Sequence, residues 1–180
     1  MIIILALTNF FPMTTREFKK RVLNPAELFQ RLGWAIVYSP FLLRASIQPA
    51  TSPVLREKIM LAVTAVNDCR YCAWAHTRLA LSRGMNIEEI NQILHQSANL
   101  RAESESYAAA ILFAQHFADT CGEIDPVTKD TLRGHFSARQ ISEILAYIHG
   151  IYLGNLIGNT FEYALICIFD RLKAGRAALR

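Results

Sequence analysis

The stretch Asn67-Asp-Cys-Arg-Tyr-Cys-Ala-Trp-Ala-His76 decides how the rest of this chain reads. Two cysteines, Cys69 and Cys72, stand with two residues between them, and a histidine follows four positions after the second. Asp68 is a good N-cap residue, and Ala73, Trp74, Ala75, Leu79, Ala80 and Leu81 continue in helical fashion. That register predicts a helix whose first turn holds both cysteines, where unpaired N–H groups and the positive dipole end stabilise an anion. A thiol placed there is biased towards thiolate, the reactive form. Helical spacing puts Cys69, Cys72 and His76 on one face. Glu57 falls on the preceding helix, which the Asn67-Asp68 turn is expected to fold back against this one.

Outward from this stretch the pattern is helix after helix. Ser52-Pro53 opens the Glu57 helix, whose apolar positions include Ile59, Leu61, Ala62 and Val66. Further upstream, Arg16–Leu23 is a short basic amphipathic piece ended by Asn24-Pro25. Pro25 at a helix N1 position then leads a stripe of Leu28, Phe29, Leu32, Ala35 and Ile36. Pro40, Pro49 and Pro53 punctuate the next part, which predicts a separate helix over Phe41–Ile47. Downstream, Gly84 is a natural stop for the cysteine helix, and Asn86 caps Ile87–Gln96. Glu103–Thr120 reads as a longer helix ended near Gly122, and Asp125-Pro126 starts a shorter one. Ser137 caps a helix carrying Ile141, Ile144, Leu145 and Ile148. Residues 85–94 and 136–145 share a small polar cap followed by Ile, Ile and Leu at matching offsets, which two amphipathic helices can share without forming a repeat array. No segment alternates as a strand would. The fold class is all-α, with a single helical domain expected over residues 15–175.

Composition narrows the rest. A chain of 180 residues holds one sizeable core. Its 52% hydrophobic content exceeds the roughly 45–50% of ordinary domains, which suggests apolar surface hidden in an oligomer. The net charge of +4 is mild and no Lys/Arg block concentrates it, so nothing argues for nucleic acid. Four cysteines are too few for a disulfide scaffold and suit a reducing, cytoplasmic setting. Ile2–Leu7 is apolar, but no basic segment precedes it and Pro12 breaks it, so residues 1–14 read as a flexible leader, or translation starts at Met13, rather than as a signal peptide. Residues 144–161 contain no Asp, Glu, Lys or Arg, which raises a membrane span. His149, Asn155, Asn159 and Thr160 would be costly there. Gly150, Gly154 and Gly158 recur every four residues, so a central packed helix or a subunit interface is the expectation, with Asn155 and Asn159 satisfied in the interior.

The cysteine cluster admits three readings. Zinc would find three ligands in Cys69, Cys72 and His76, but the usual second ligand pair is missing, since Cys121, Cys167, His95 and His116 stand alone. A structural reading makes the cysteines small packing residues at a helix start. A dithiol redox pair explains the spacing most directly: a stabilised thiolate, a proton donor in His76, and a second thiol in reach. His149 could line a pocket, although a satisfied core histidine is the simpler reading, and Trp74 and Tyr71 read as packing residues.

Glu57, eleven intervening residues, Cys69-Arg-Tyr-Cys72, three residues and His76 together resemble the signature of the alkylhydroperoxidase D-like and carboxymuconolactone decarboxylase-like superfamily. The flanking runs Ser52–Lys58 and Leu79–Ile90 are similar to that family's core, and the segment from His135 to Asn155 resembles its closing helix. The resemblance implies an all-helical subunit that assembles into trimers or hexamers. It implies that Cys72 attacks a hydroperoxide, that Cys69 resolves the product to a Cys69–Cys72 disulfide, and that Glu57 and His76 move protons. It also implies a thiol reductant such as a lipoylated carrier protein; separately, no cofactor and no metal are expected. The chain departs from the pattern at Tyr71, where the family's well-studied members carry a further histidine in the relay. The decarboxylase branch lacks the cysteine pair, so that activity is not expected.

A peroxidase is thus the expected function, with a general disulfide oxidoreductase or a non-enzymatic, redox-sensing helical oligomer as alternatives. Organic hydroperoxide, hydrogen peroxide and a protein disulfide all fit a CxxC helix. The chemistry of an activated Cys72 requires a thiol pKa well below the ordinary ~8.5.

Overall fold

The computed structural model describes residues 14–100, 103–124 and 126–177. The expected leader lies outside them except for Thr14, as do the alternative start at Met13 and Asp125. The described residues form seven helices and no strand: α1 Pro25–Ile47, α2 Pro53–Asn67, α3 Arg70–Ser82, α4 Ile87–Leu94, α5 Glu105–Asp119, α6 Pro126–Arg133 and α7 Ala138–Ala177.

Local chemistry explains most of the boundaries. Asn24, Ser52, Asn86 and Ser104 each cap a helix by accepting a backbone N–H three residues on. Pro25 and Pro53 occupy first-turn positions, where no N–H is needed. Ser137 and Gln140 exchange hydrogen bonds at the start of α7 as a capping box, Ser137 N donating to Gln140 Oε1 at 3.0 Å. Gly84 sits just past α3 with φ of +87°, a left-handed conformation that glycine adopts without a Cβ penalty. Helices α4 and α5 are each shorter than expected, because Gln96 turns left-handed with φ of +54° and Ser104, rather than a residue before Glu103, supplies the cap.

Two expectations upstream are corrected. Residues 16–23 are no helix; after a turn at Thr15–Glu17 they run as an irregular strap across α7. Outward bonds hold the strap: Thr15 N and Oγ1 donate to Asp170, Arg21 donates to the Ala118 carbonyl and Tyr152 hydroxyl, and Leu23 N donates to Thr160 Oγ1. These tertiary bonds replace the ladder a short isolated helix could not sustain. The second correction is Pro40, which does not separate two helices but lies inside the continuous α1. A proline there gives no N–H to the Ile36 carbonyl; the Ser39 hydroxyl donates to that carbonyl instead, at 2.8 Å.

The helix α2 is the centre of the bundle and packs against α3, α4, α5 and α7. Leu55, Ile59, Leu61, Ala62 and Val63 are all buried against α5 residues such as Ile111 and Phe117 and α7 residues such as Ile144, Ile148 and Leu156. Polar side chains on α2 are buried too, and most are engaged, although Asn67 Nδ2 has no partner among the described residues. Lys58 pairs with Glu89 at 2.7 Å and with Glu103. Thr64 donates to Asn155 Oδ1 at 3.2 Å, and the Asn67 carbonyl accepts from Asn159 Nδ2 at 2.8 Å. A helix surrounded on all sides is costly to place unless most such groups find partners.

By length and composition α7 is long and apolar enough to cross a membrane, the one such helix among the described residues. Here it buries Tyr152, Asn155, Leu156 and Asn159 completely while leaving Ile157 and Phe161 half exposed, so one face is packed rather than the whole circumference. Asn155 and Asn159 are only partly satisfied: Asn155 Nδ2 and Asn159 Oδ1 are buried with no partner among the described residues. The glycine stripe also resolves unevenly. A Cβ on Gly154 would meet nothing within 4 Å, one on Gly150 would make ordinary contact with Leu42, and only Gly158 lies against a neighbour too close for a side chain.

Because the helix-interior cost of proline, ~3 kcal/mol, exceeds the ~1 kcal/mol it can return by restricting the unfolded chain, Pro40→Ala is expected to stabilise the fold by about 1–2 kcal/mol in urea denaturation. A lower midpoint would show that the break at Pro40 is needed for α1 to follow its neighbours.

Candidate active site

The loop between α2 and α3 is two residues long and places the chemistry. Asp68 ends α2 in a left-handed conformation, φ of +52°, instead of capping α3. The cap of α3 is Cys69, one residue later than expected, with extended backbone and its sulfur accepting the Cys72 N–H at 3.4 Å. Asp68 is drawn outward and pairs with Lys20 of the strap at 3.4 Å. Cys69 is 1% exposed and Cys72 is half-buried. Their sulfurs are 2.7 Å apart and share a hydrogen bond, so the ~2.05 Å bond of a disulfide is within about 1 Å of approach.

This geometry transfers the anion from Cys72, where the sequence places it, to Cys69. The Cys72 thiol hydrogen-bonded to it lowers the Cys69 pKa most; burial opposes this, and the backbone N–H groups of Cys72 and Tyr71 and the charge of Lys20 add to the lowering, bringing Cys69 down to about 7. The same hydrogen bond, burial and the Cys69 charge hold Cys72 protonated. A helix N-terminus stabilises what occupies its cap, and the cap is Cys69. The two sulfurs therefore share one proton as a coupled pair, with the charge of the first ionisation resting mainly on Cys69.

One turn along α3 from Cys72, His76 meets Glu57 of α2, Nδ1 to Oε2 at 2.9 Å. Glu57 is fully buried, and its other oxygen accepts from Arg56 Nε at 3.0 Å and Nη2 at 2.9 Å. Burial works against the Glu57 charge, yet the hydrogen bonds and charges of His76 and Arg56 outweigh it and hold the carboxyl below its ordinary value. The carboxylate thus fixes the imidazole ring and can stabilise it when protonated. Arg56 also lies over the Tyr147 ring, 6.0 Å from its centroid. A cleft of about 200 Å³ opens beside the dyad, walled by Leu42, Ala45, Met60, Leu79 and Tyr147 with Ser46, Arg56, Glu57 and His76 as polar groups.

Thus the structure places Cys69 and Cys72 at the α2–α3 junction and pairs Glu57 with His76 between the same two helices, one turn along α3 from Cys72. Among the described residues no three His, Cys, Asp or Glu side chains gather where they could hold a metal ion. Tyr71, at which the sequence departs from the resembled pattern, packs tilted against Phe161, with Arg70 over its ring at 5.4 Å. Trp74 is largely exposed and stacks on Arg78 rather than in the core, a correction to its reading as a packing residue. His149 lies apart from the thiols, buried in a cage of Trp34, Tyr38 and Phe117 with centroids at 5.2, 4.6 and 4.9 Å. Burial, then the nearby Arg31, lowers its pKa to about 4; its Nε2 has no partner among the described residues, so it is a neutral core histidine but not a fully satisfied one. Three contributors were not read from sequence: Lys20, Glu162 and Arg56. Glu162 is buried on α7 and clamps Lys20 at 3.1 Å and Arg70 at 3.4 Å, an arrangement that depends on contacts more than 90 positions apart.

The segment from α1 to most of α5, residues 26–115, matches the carboxymuconolactone decarboxylase family, and it contains the whole Glu57–His76 arrangement. This chain belongs to that family. Carboxymuconolactone decarboxylase family proteins form part of the alkylhydroperoxidase D-like superfamily, and the family includes decarboxylases and peroxidase-like enzymes. The family match ends before α6 and α7, so the closing helix over the cysteines lies beyond it. Comparison with individually curated proteins gave no match.

Absorbance of the reduced protein near 240 nm is expected to show a single thiolate ionising with a midpoint near pH 7. Cys72→Ser weakens the largest stabilising bond and should move the midpoint up, and Lys20→Met should move it up by less. Unchanged midpoints in both variants would contradict the assignment of the charge to Cys69. Glu57, with its lowered pKa, contributes stability that is present above its unfolded value of ~4.3 and lost as pH falls through the folded value. Chemical denaturation from pH 7 to pH 3 should therefore show a shallower acid loss in Glu57→Gln; an unchanged slope would show that the carboxylate's bonds carry no net stability.

Proposed function

We propose that the protein is a thiol-dependent peroxidase that reduces hydroperoxides through a Cys69/Cys72 dithiol–disulfide cycle. The observation that carries this reading is the 2.7 Å sulfur pair at a helix start with the Glu57–His76 pair one turn away. Charge rests on Cys69, but burial leaves Cys72 as the sulfur a substrate can reach. His76 accepts the Cys72 proton in the same step as the Cys72 sulfur attacks the terminal oxygen of the hydroperoxide, so that no second thiolate stands free beside Cys69. The O–O bond breaks, the sulfur becomes a sulfenic acid, and the leaving alkoxide takes the proton from His76. The Cys69 thiolate then attacks the Cys72 sulfur; the S–S bond forms and the departing hydroxide, with one proton from solvent, leaves as water. A dithiol reductant, such as the lipoyl group of a carrier protein, returns two electrons and two protons by exchange.

The cleft at His76 is small and mainly apolar, which favours an organic hydroperoxide over a protein disulfide as substrate. The free cysteines fit a reducing compartment, as in the cytoplasm. Phe29, Ile36 and Leu43 form a stripe at seven-residue spacing along α1, each more than two-thirds exposed, and a second copy of the chain would cover it in a trimer or hexamer. Nothing in the charge distribution calls for nucleic acid, and the burial of one face of α7 supports a core helix rather than a membrane span. The cysteine pair sets this chain apart from a decarboxylase.

Reduced protein mixed with an organic hydroperoxide in stopped flow should consume one equivalent and end with a Cys69–Cys72 disulfide by peptide mass spectrometry. Cys72→Ser should abolish consumption, and His76→Gln should slow it by about 10²–10⁴-fold, the usual contribution of a general acid–base. Consumption unchanged by Cys72→Ser would sink the assignment, and absence of consumption with rapid reduction of a protein disulfide would replace it with a disulfide oxidoreductase.

A further inference from the structure

Helix α7 passes directly over the cysteine pair at Gly158. A Cβ placed on Gly158 would lie 2.7 Å from Cys69 Sγ, closer than real side chains approach, while meeting Tyr71 Cδ2 at 3.6 Å and Cys72 Sγ at 3.9 Å in ordinary contact. The collision is thus with one atom, the sulfur that caps α3. The neighbouring stripe glycine offers an internal comparison, since a Cβ on Gly154 meets nothing. The helix is fixed where it crosses: Asn159 donates to the carbonyls of Asn67 and Arg21, Thr160 accepts from Leu23 N, and Glu162 holds Lys20. With α7 held this firmly, an added methyl must be absorbed by the Cys69 side chain, whose sulfur would leave either the Cys72 N–H or the Cys72 sulfur.

We propose that Gly158 is a positioning residue for the dithiol: its missing side chain lets α7 close over Cys69 and hold that sulfur both at the N-terminus of α3 and beside Cys72. The same contact roofs Cys69 and leaves Cys72 as the accessible thiol. The inference deepens the proposed dithiol cycle, but it concerns the disulfide couple itself, in which Cys69 and Cys72 together lose two electrons and two protons to an added disulfide such as oxidised dithiothreitol. Gly158 lies outside residues 26–115, so the family match does not assign it a role.

The test compares Gly158→Ala with Gly154→Ala in the full chain, without peroxide. In dithiothreitol redox buffers, Gly158→Ala should make the Cys69–Cys72 disulfide at least tenfold easier to reduce, equivalent to about 30 mV for a two-electron couple. Its thiolate titration at 240 nm should also shift upward. Gly154→Ala should leave both at wild-type values. A thermal-melt cycle in the Cys69→Ala background covers the case where Gly158→Ala folds poorly: removing the colliding sulfur should recover most of the stability lost to the added methyl. Wild-type redox equilibrium and titration in Gly158→Ala would overturn the proposal, as would an equal loss of stability with and without the Cys69 sulfur. Neither readout uses hydroperoxide, so failure of the peroxidase reading leaves the outcome interpretable.

Discussion

A sulfur caps a helix in this protein, and the site depends on that substitution of a thiol for the usual hydroxyl or carboxylate. Ser, Asn and Asp caps satisfy an orphan N–H and stop there. Cys69 does the same work at 3.4 Å from the Cys72 N–H, but the charge it gathers is chemically usable. The left-handed Asp68 makes this possible, because it ends α2 and passes the cap position to the next residue. The helix that carries the cap is then anchored on one side by the buried α2 and on the other by α7.

Two separate elements converge on the pair and a third on the histidine beyond it. The strap delivers Lys20, held by Glu162, and α7 delivers the open backbone at Gly158 to the thiols; α2 delivers Glu57, held by Arg56, to His76. Each charged group near the thiols is itself paired, which keeps buried charge affordable and limits its motion. The proposed cycle divides labour accordingly, with charge stored on the covered sulfur and contact with substrate left to the half-buried one.

Helices were legible from the sequence where local chemistry decides them. Pro25, Ser52-Pro53, Asn86 and Gly84 all punctuate as their φ preferences and side-chain acceptors require. The strap and α1 were not, because tertiary bonds outweigh propensity in one and the Ser39 hydroxyl repairs the proline break in the other. For the site, spacing alone brings Cys69, Cys72 and His76 to one face, and Glu57 follows from the two-residue loop. The cap was misread by one residue, since Asp68 and Cys69 can each cap and only the backbone conformation chooses, and the charge moved with it from Cys72 to Cys69. Lys20, Glu162 and the particular role of Gly158 arise from contacts roughly 90 to 140 positions apart, which no local pattern encodes.

The central claim is that the buried Cys69 holds the charge while Cys72 meets the oxidant. Trapping the sulfenic acid in variants that keep one cysteine of the pair tests it most directly. With dimedone present, hydroperoxide should label Cys72 in Cys69→Ser, by peptide mass spectrometry, and should leave Cys69 unlabelled in Cys72→Ser. Rapid labelling of Cys69 in Cys72→Ser, with none of Cys72 in Cys69→Ser, would contradict the account and reverse the roles of the two sulfurs.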